Sequence, residues 1–405
     1  MEDFRDGPVY TMGQVLSLPL LMFACRISSL RKLDLVSDDV LFRDNWCVFS
    51  RARTDTVICS RQMTNVLAVT DPESISALRL RLVKGLIRQK QLPDAFLLGH
   101  LMVVSDGTGI YASSKFHCSQ CLTQTHQNGS MTYLHNVVET KVITCNGLAL
   151  SILTEPQLNP ENGKYDKQDC ESKAFNRMLP RLKEAFPRER LVHLLDSGYC
   201  NGPTFKAIED VNRKFICCFK EGSIPTLYAE ALTLRDLNPL NRITQTVILE
   251  GHRVTRVYTW VNGLEYQELT RDFVMCQETV DGKTTTFAYL TNFTVDRENV
   301  IAIADGGRKR WTIENEGFNV QKTGYELEHF CDCSSFEVMF ALYLLLQLAH
   351  AFMQLLVRSD LIDPVTDLTF LALLLLEALR NQTLPEELFA KDLPRFQIRF
   401  AKAPT

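Results

Sequence analysis

The 405-residue chain has no surplus of positive charge: 44 Lys and Arg stand against 48 Asp and Glu, a formal net charge of −4. That excludes a whole-molecule field that would draw a polyanion, so any contact with nucleic acid has to come from local basic patches. No internal repeat and no low-complexity segment is visible. The start, Met1-Glu-Asp-Phe-Arg-Asp6, has acids where an export signal carries basic residues, and the apolar run from Val15 to Cys25 is too short for a bilayer, so no export signal is expected. Long apolar runs are scarce. Only Val338 to Val357 has the length of a membrane span, about 20 residues. Within it Tyr343, Gln347, His350 and Gln354 recur at spacings of four, three and four. Such a polar stripe along one helical face marks a buried core helix meeting a polar neighbour, and no membrane partner is expected.

The chain does have ample apolar material, 45% of its residues, enough for a large core divided among two or three domains. Its 13 cysteines are scattered, several of them in apolar runs such as Phe215-Ile-Cys-Cys-Phe219, where a thiol behaves as a small hydrophobe. A reducing, cytoplasmic setting is therefore expected.

Five segments follow from the pattern. Residues 1–92 read as helical, with one clear helix start at Asp71 as N-cap, Pro72 at the first helical position and Glu73 in the first turn. In that helix Leu78, Leu82, Val83 and Leu86 face a core. Arg81, Lys84 and Arg88 form a basic stripe, either a solvated face or a phosphate-contacting one. Residues 93–220 change to a strand at 96–104, a glycine turn at Ser105-Asp-Gly-Thr-Gly109, a second strand at 110–114 and a third at 133–144. A helix at 167–186, a short strand at 191–195, a helix at 203–212 and a strand at 214–219 complete the segment. The order β-β-β-α-β-α-β is that of a ribonuclease-H-like core. Residues 221–303 read as a β-rich insertion with a hairpin turn at Asp281-Gly282. Residues 304–358 return to helix, and residues 359–405 form a tail ending in a basic, alternating stretch from Arg395 to Lys402, an edge strand or a DNA contact. The fold class is thus α/β (mixed α+β), with a helical N-terminal part and a helical C-terminal part.

Three acids stand out. Asp106 and Asp196 each follow an apolar strand and precede small residues, Asp106-Gly107 and Asp196-Ser-Gly198. Glu314 lies on a helix one turn after Arg310. Taken singly, an Asp at a strand end is often a turn residue or a helix cap. Taken together, three carboxylates on separate elements suit two divalent ions, Mg2+ or Mn2+, which activate an attacking oxygen, stabilise a leaving one and neutralise charge on a phosphodiester. Glu316 is the rival acid, but an α-helix turns it about 200° from Glu314.

The segments Ser105-Asp-Gly-Thr-Gly109, Lys167-Gln-Asp-Cys-Glu171, Leu195-Asp-Ser-Gly198, Phe219-Lys-Glu-Gly222 and Arg310-Trp-Thr-Ile-Glu-Asn-Glu-Gly-Phe-Asn319 carry a resemblance. The last is the most specific, continuing through Gln321-Lys322 to Gly324-Tyr-Glu-Leu-Glu-His329. On these the chain resembles the insertion-sequence DDE transposases, whose ribonuclease-H-like core carries a β-rich insertion between the second aspartate and the glutamate. The resemblance implies Asp106, Asp196 and Glu314 as catalytic metal ligands, Arg310 and Lys322 as DNA contacts, and cleavage and rejoining of element ends. It also implies terminal inverted repeats and target DNA as partners, a homodimer or higher assembly on DNA, and a bacterial-type, nucleoid-associated location. The family's Tyr-Arg-Glu-Lys signature is incomplete, since its tyrosine place holds Gly307 and its lysine place Gln321, with Lys322 one later. Two other readings stay open: a metal-dependent nuclease without strand transfer, and a non-catalytic DNA-binding descendant of a transposase.

His117-Cys118, Cys121, His126 and His135 fall within one connection. Cys118, Cys121, His126 and His135 offer a structural Zn2+ site, set against packed thiols and surface histidines. Lys220, just past a strand, is within reach of a phosphate or simply solvated. Tyr258 and Trp260 alternate on one face and would stack on a base or pack in a half-buried sheet. Glu171 would assist the metal site or lie on the surface of a charged helix.

Overall fold

The computed structural model describes residues 8–52, 56–249, 251–327, 335–362 and 367–385. Five helices come first: α1 (Met12–Ala24), α2 (Leu30–Ser37), α3 (Val40–Ser50), α4 (Ser60–Leu67) and α5 (Pro72–Arg88). Their starts follow the local chemistry. Thr11 and Gln14 form a capping box on α1, and the Asp71 carboxylate accepts from the Glu73 N–H at the start of α5. Then come β1 (Phe96–Leu97), β2 (His100–Ser113), β3 (Leu122–Thr125), β4 (Met131–Ile143), β5 (Ala149–Gln157), α6 (Glu171–Ala185), β6 (Leu191–Leu195), α7 (Gly202–Asp210) and β7 (Lys214–Cys218). The remainder is α8 (Pro225–Leu237), β8 (Arg242–Leu249), β9 (His252–Tyr266), β10 (Leu269–Val280), β11 (Lys283–Thr291), α9 (Val300–Arg308), α10 (Asn319–Gly324), α11 (Phe336–Arg358) and α12 (Leu368–Asn381).

Among the described residues, the 11 strands belong to one sheet, ordered β3-β4-β2-β6-β7-β11-β10-β9-β8, with β5 on β4 and β1 on β2. β2, β4 and β5 pair antiparallel, whereas β6 runs parallel to β2 and β7 parallel to β6. The expected β-β-β-α-β-α-β order is present, but its first three strands are drawn differently. The glycine turn expected at 105–109 is absent: β2 runs unbroken through Asp106, Gly107, Thr108 and Gly109, with a bulge between Gly109 and Tyr111. Gly107 serves close approach here, because a Cβ on it would lie 2.6 Å from the Glu171 carboxylate. The third strand of the meander is β5, which the sequence reading passed over.

The stretch 221–303 extends this sheet through β11, which pairs with β7 at Tyr289–Cys218, Leu290–Cys217 and Thr291–Ile216. Asp281 and Gly282 both have positive φ, the geometry of a tight hairpin turn, as their sequence suggested. The helix α8 in this stretch was not anticipated. The basic stretch Arg395 to Lys402 lies outside the described residues.

Helix α11 is long and apolar enough to cross a membrane, yet it is packed inside the protein against α1, α4, α5 and β5. Its polar stripe meets polar partners, as expected. Tyr343 donates to Glu139 at 3.0 Å, Lys141 to Gln347 at 2.9 Å and Gln347 to Gln321 at 2.9 Å, and Gln354 accepts from the Ala149 N–H at 2.8 Å. Arg79, on the inner face of α5 where only apolar residues were foreseen, is buried 3.6 Å from Glu139, with Ser151 and Thr154 completing the network. An unpaired charge at that depth would cost several kcal/mol, so the pair and its hydroxyls are mutually required.

Candidate active site

The two aspartates are brought together by strand register. Parallel pairing of β2 with β6 runs from Leu101–Leu191 to Val104–Leu194. Asp106, within β2, and Asp196, just past the end of β6, each lie two residues beyond that last pair, so they stand at the same level on neighbouring strands, at a strand spacing of about 4.8 Å. Each carboxylate is steadied by a backbone N–H: Gly107 donates to Asp106 at 2.9 Å and Gly198 to Asp196 at 2.8 Å. Asp196 therefore is a cap, on the 3-10 turn Ser197–Tyr199, and also a member of the acid cluster.

The third acid arrives from the far end of the fold. After α9 the chain makes a 3-10 turn, Lys309–Trp311, and then a π-helical turn, Ile313–Phe318, that carries Glu314. π-Turns are rare and concentrate at functional sites, where they re-aim a side chain within a helix. Arg310 donates to Glu314 at 2.6 Å, and the same Nη1 lies 3.7 Å from Asp106. The single guanidinium therefore stands between two of the three acids. Glu316 turns elsewhere and pairs with Arg358 at 3.9 Å. Gly307 sits where the family signature has tyrosine, and a Cβ there would lie 2.3 Å from the ring of Tyr289 on β11. An aromatic ring from another strand already fills the space. Gln321 is buried, donating to Gln347 and facing His350 at 2.9 Å in each case, while Lys322 beside it is exposed. The shift of the lysine by one position thus puts the amide inside and the ammonium outside.

A fourth acid joins them. Of the two places open to Glu171, beside the metal site or on the surface of a charged helix, it takes the first: it opens α6 and packs on Gly107, and the Tyr199 phenol lies beside it. Charge repulsion registers the crowding. Burial first, then the carboxylates of Glu171 and Asp196, push Asp106 up to about 7, against the opposing pull of Arg310 and the Gly107 N–H. Burial and Asp196 likewise raise Glu171. The segment around Glu171 was noted for its likeness, but nothing in its spacing showed that α6 begins at the acid cluster. Cys218, at the end of β7, feels Arg310, Asp196 and Lys220 together, which places Lys220, an exposed residue, on the rim.

Other candidates divide. Trp260 is 5% exposed and Tyr258 fully buried, both packed among the side chains of β10 and α9, so neither is a base-stacking platform; Trp260 is corrected to a core residue. An aromatic that does face solvent beside Arg310 is Trp311, 51% exposed, with the Arg310 guanidinium 4.2 Å from its ring centre. On α5, Arg81 and Arg88 are exposed, but the Lys84 ammonium lies over the Phe186 ring at 5.4 Å, so the stripe is not one uniform basic face.

Among the described residues, the group of potential ligands whose donor atoms all lie within 4.8 Å of one another is Cys118, Cys121 and His135. Asp106, Asp196 and Glu314 are not gathered that tightly, with Arg310 between them. His126 is corrected out of the sulfur cluster: it opens the turn between β3 and β4, and its Nε2 bonds to Thr132 at 2.8 Å.

No family model matches the chain, and no curated protein matches it. Among solved structures it is similar to a piggyBac transposase in a synaptic complex with hairpin DNA, with a TM-score of 0.40 and 9% identity, over 97% of this chain and 77% of that one. A likeness of that degree carries no weight for the chemistry of the acids.

Proposed function

We propose that the protein is a DDE transposase on a ribonuclease-H-like core, cutting the ends of its own element and joining them to target DNA. The observation that carries this reading is the register that sets Asp106 beside Asp196 on adjacent parallel strands, with Glu314 reached through Arg310. The residues suit hard divalent ions: Asp106, Asp196 and Glu171 crowd one another, Glu314 is linked to Asp106 through the buried Arg310, and hard oxygens are what Mg2+ and Mn2+ prefer. Asp106, Asp196 and Glu314 would hold the ions, with Glu171 behind them. Bound there, such ions supply an activated oxygen nucleophile and stabilise the leaving oxygen.

This chain's own residues do the rest. Gly107 and Gly198 N–H groups steady the two aspartates on their adjacent parallel strands. Arg310, released from Glu314, would turn to a phosphate oxygen, while Lys220 and Lys322 offer charge at the rim and Trp311 a stacking surface. Two element ends have to be held at once, so the working form is a dimer or larger.

The test is cleavage and joining of a labelled duplex bearing the flanking terminal repeat, with Mg2+ or Mn2+, by the wild type and by Glu314→Gln. Joined product from the wild type alone is expected. Cleavage without joining would make the protein a nuclease, and binding without cutting by either form would leave a DNA-binding protein.

A further inference from the structure

The connection between β2 and β4 builds a second constellation, remote from the acids. Antiparallel pairing places Leu122 opposite Leu134 and Tyr111 opposite His135, so Cys121 and His135 meet across the β3–β4 ladder. A turn in which the Cys121 N–H donates to the Cys118 carbonyl at 3.3 Å folds Cys118 back onto them. The three donor atoms form a small triangle: Cys118 Sγ to Cys121 Sγ 3.7 Å, and each Sγ to His135 Nε2 3.3 Å. Zinc at ~2.3 Å from sulfur and ~2.0–2.1 Å from nitrogen, with tetrahedral angles, requires an S–S separation of about 3.8 Å and S–N separations of about 3.6 Å. The triangle matches one face of that tetrahedron to within a few tenths of an ångström. The S–S separation is also far too long for a disulfide, whose bond is about 2.05 Å.

Two further features suit a thiolate-bound cation. The Cys118 N–H points to Cys121 Sγ at 3.4 Å, a donor that steadies negative sulfur. His135 is 3% exposed and fixed between the rings of Tyr111 and Phe336, with Nε2 turned to the sulfurs, so its donor atom is aimed before any ligand arrives. On the open side lies a cavity of about 220 Å³ lined by Tyr111, Phe116, His117, Ser335, Phe336 and Met339. A fourth donor enters from there, either water or His117, which now stacks on Tyr133 at 4.1 Å.

We propose that Cys118, Cys121 and His135 bind one Zn2+ ion that clasps the β2–β3 connection to β4 beside the start of α11. Tyr111 and Asp106 are five residues apart on β2, roughly 17 Å, so this ion is separate from any at the acids. Its role is structural, and the proposal stands or falls independently of the transposase reading.

The full chain would be purified without chelator, its zinc measured by inductively coupled plasma mass spectrometry, and the zinc then exchanged for Co2+. About one zinc per chain is expected, with the intense visible bands and sulfur-to-cobalt charge transfer of tetrahedral thiolate coordination. Cys118→Ser, Cys121→Ser and His135→Ala should each lose the ion, whereas His126→Ala and Glu314→Gln should keep it. The wild-type cobalt spectrum does not depend on any variant folding. Zinc-free wild-type protein whose thiols react equally with and without added Zn2+, or a Co2+ spectrum without sulfur charge transfer, would overturn the site.

Discussion

Arg310 donates to Glu314 at 2.6 Å while lying 3.7 Å from Asp106, so one guanidinium supplies the positive charge between two acids proposed as metal ligands. Arginine and divalent cation then compete for the same carboxylates. Removing the arginine by Arg310→Ala should tighten Mn2+ binding to the DNA-free protein by about tenfold, about 1.4 kcal/mol, and should weaken DNA cleavage. Calorimetric titration of Mn2+ checks this, and an unchanged or weaker affinity in the variant would refute the competition.

The raised Asp106 makes stability depend on pH in a definite direction. With its carboxyl moved from 3.8 to about 7, the folded chain keeps a proton that the unfolded chain has released. The contribution of Asp106 to stability is therefore most favourable below the ordinary carboxylate range and declines as pH rises from about 4 to about 7, by at most on the order of 4 kcal/mol, while carboxylates held low, such as Glu278, act in the opposite direction at acid pH. Asp106→Asn should flatten that window and, with chelator present, be more stable than wild type at pH 8. Urea melts of both proteins at pH 5 and pH 8 decide it; parallel profiles would show that Asp106 is not strained by its neighbours.

Gly307 is required by packing. Because a Cβ there falls 2.3 Å from the Tyr289 ring, Gly307→Ala should destabilise the protein by roughly 1–3 kcal/mol, and Gly307→Ala with Tyr289→Leu should recover part of that loss. Thermal unfolding of the single and double variants measures the coupling, and strict additivity would mean that the two side chains do not compete for space.

Trp311 is an exposed aromatic in contact with Arg310, which bridges toward the acids. If a base stacks on it, Trp311→Ala should weaken binding of single-stranded or end-frayed DNA by about 1–3 kcal/mol and leave thermal stability nearly unchanged. Fluorescence anisotropy with a labelled oligonucleotide is the measurement, and equal affinities would remove Trp311 from the DNA surface.

What the sequence disclosed was mostly what strand and helix periodicity can carry. The short buried strand Leu191–Leu195 delivering Asp196, the Asp281-Gly282 hairpin and the polar stripe of α11 were all readable, because each is written in consecutive or regularly spaced residues. Gly107 and Gly109 misled, since glycines after an aspartate ordinarily signal a turn, and only Glu171, far along the chain, shows what Gly107 makes room for within a strand. Arg79 was not foreseen, and the choice between the two places open to Glu171 could not be made, for the same reason: their surroundings are assembled by tertiary contact. Trp260 was offered to DNA on alternation alone, which cannot say which face of a strand α9 covers.

The joint between β7 and β11 has a mechanical consequence. Within the sheet the four-stranded outboard wing joins β7 through three residue pairs and the Phe219 N–H to the Ala288 carbonyl, with α9 packed across both sides of the joint, and this seam lies beside Asp196 and Arg310. Strands are stiff along their length, so the wing acts as a cantilever clamped next to the acids. A load applied to its outer tip, by a bound strand or a second subunit, would be felt as a small rotation at the clamp, close to where Arg310 chooses between its two carboxylates.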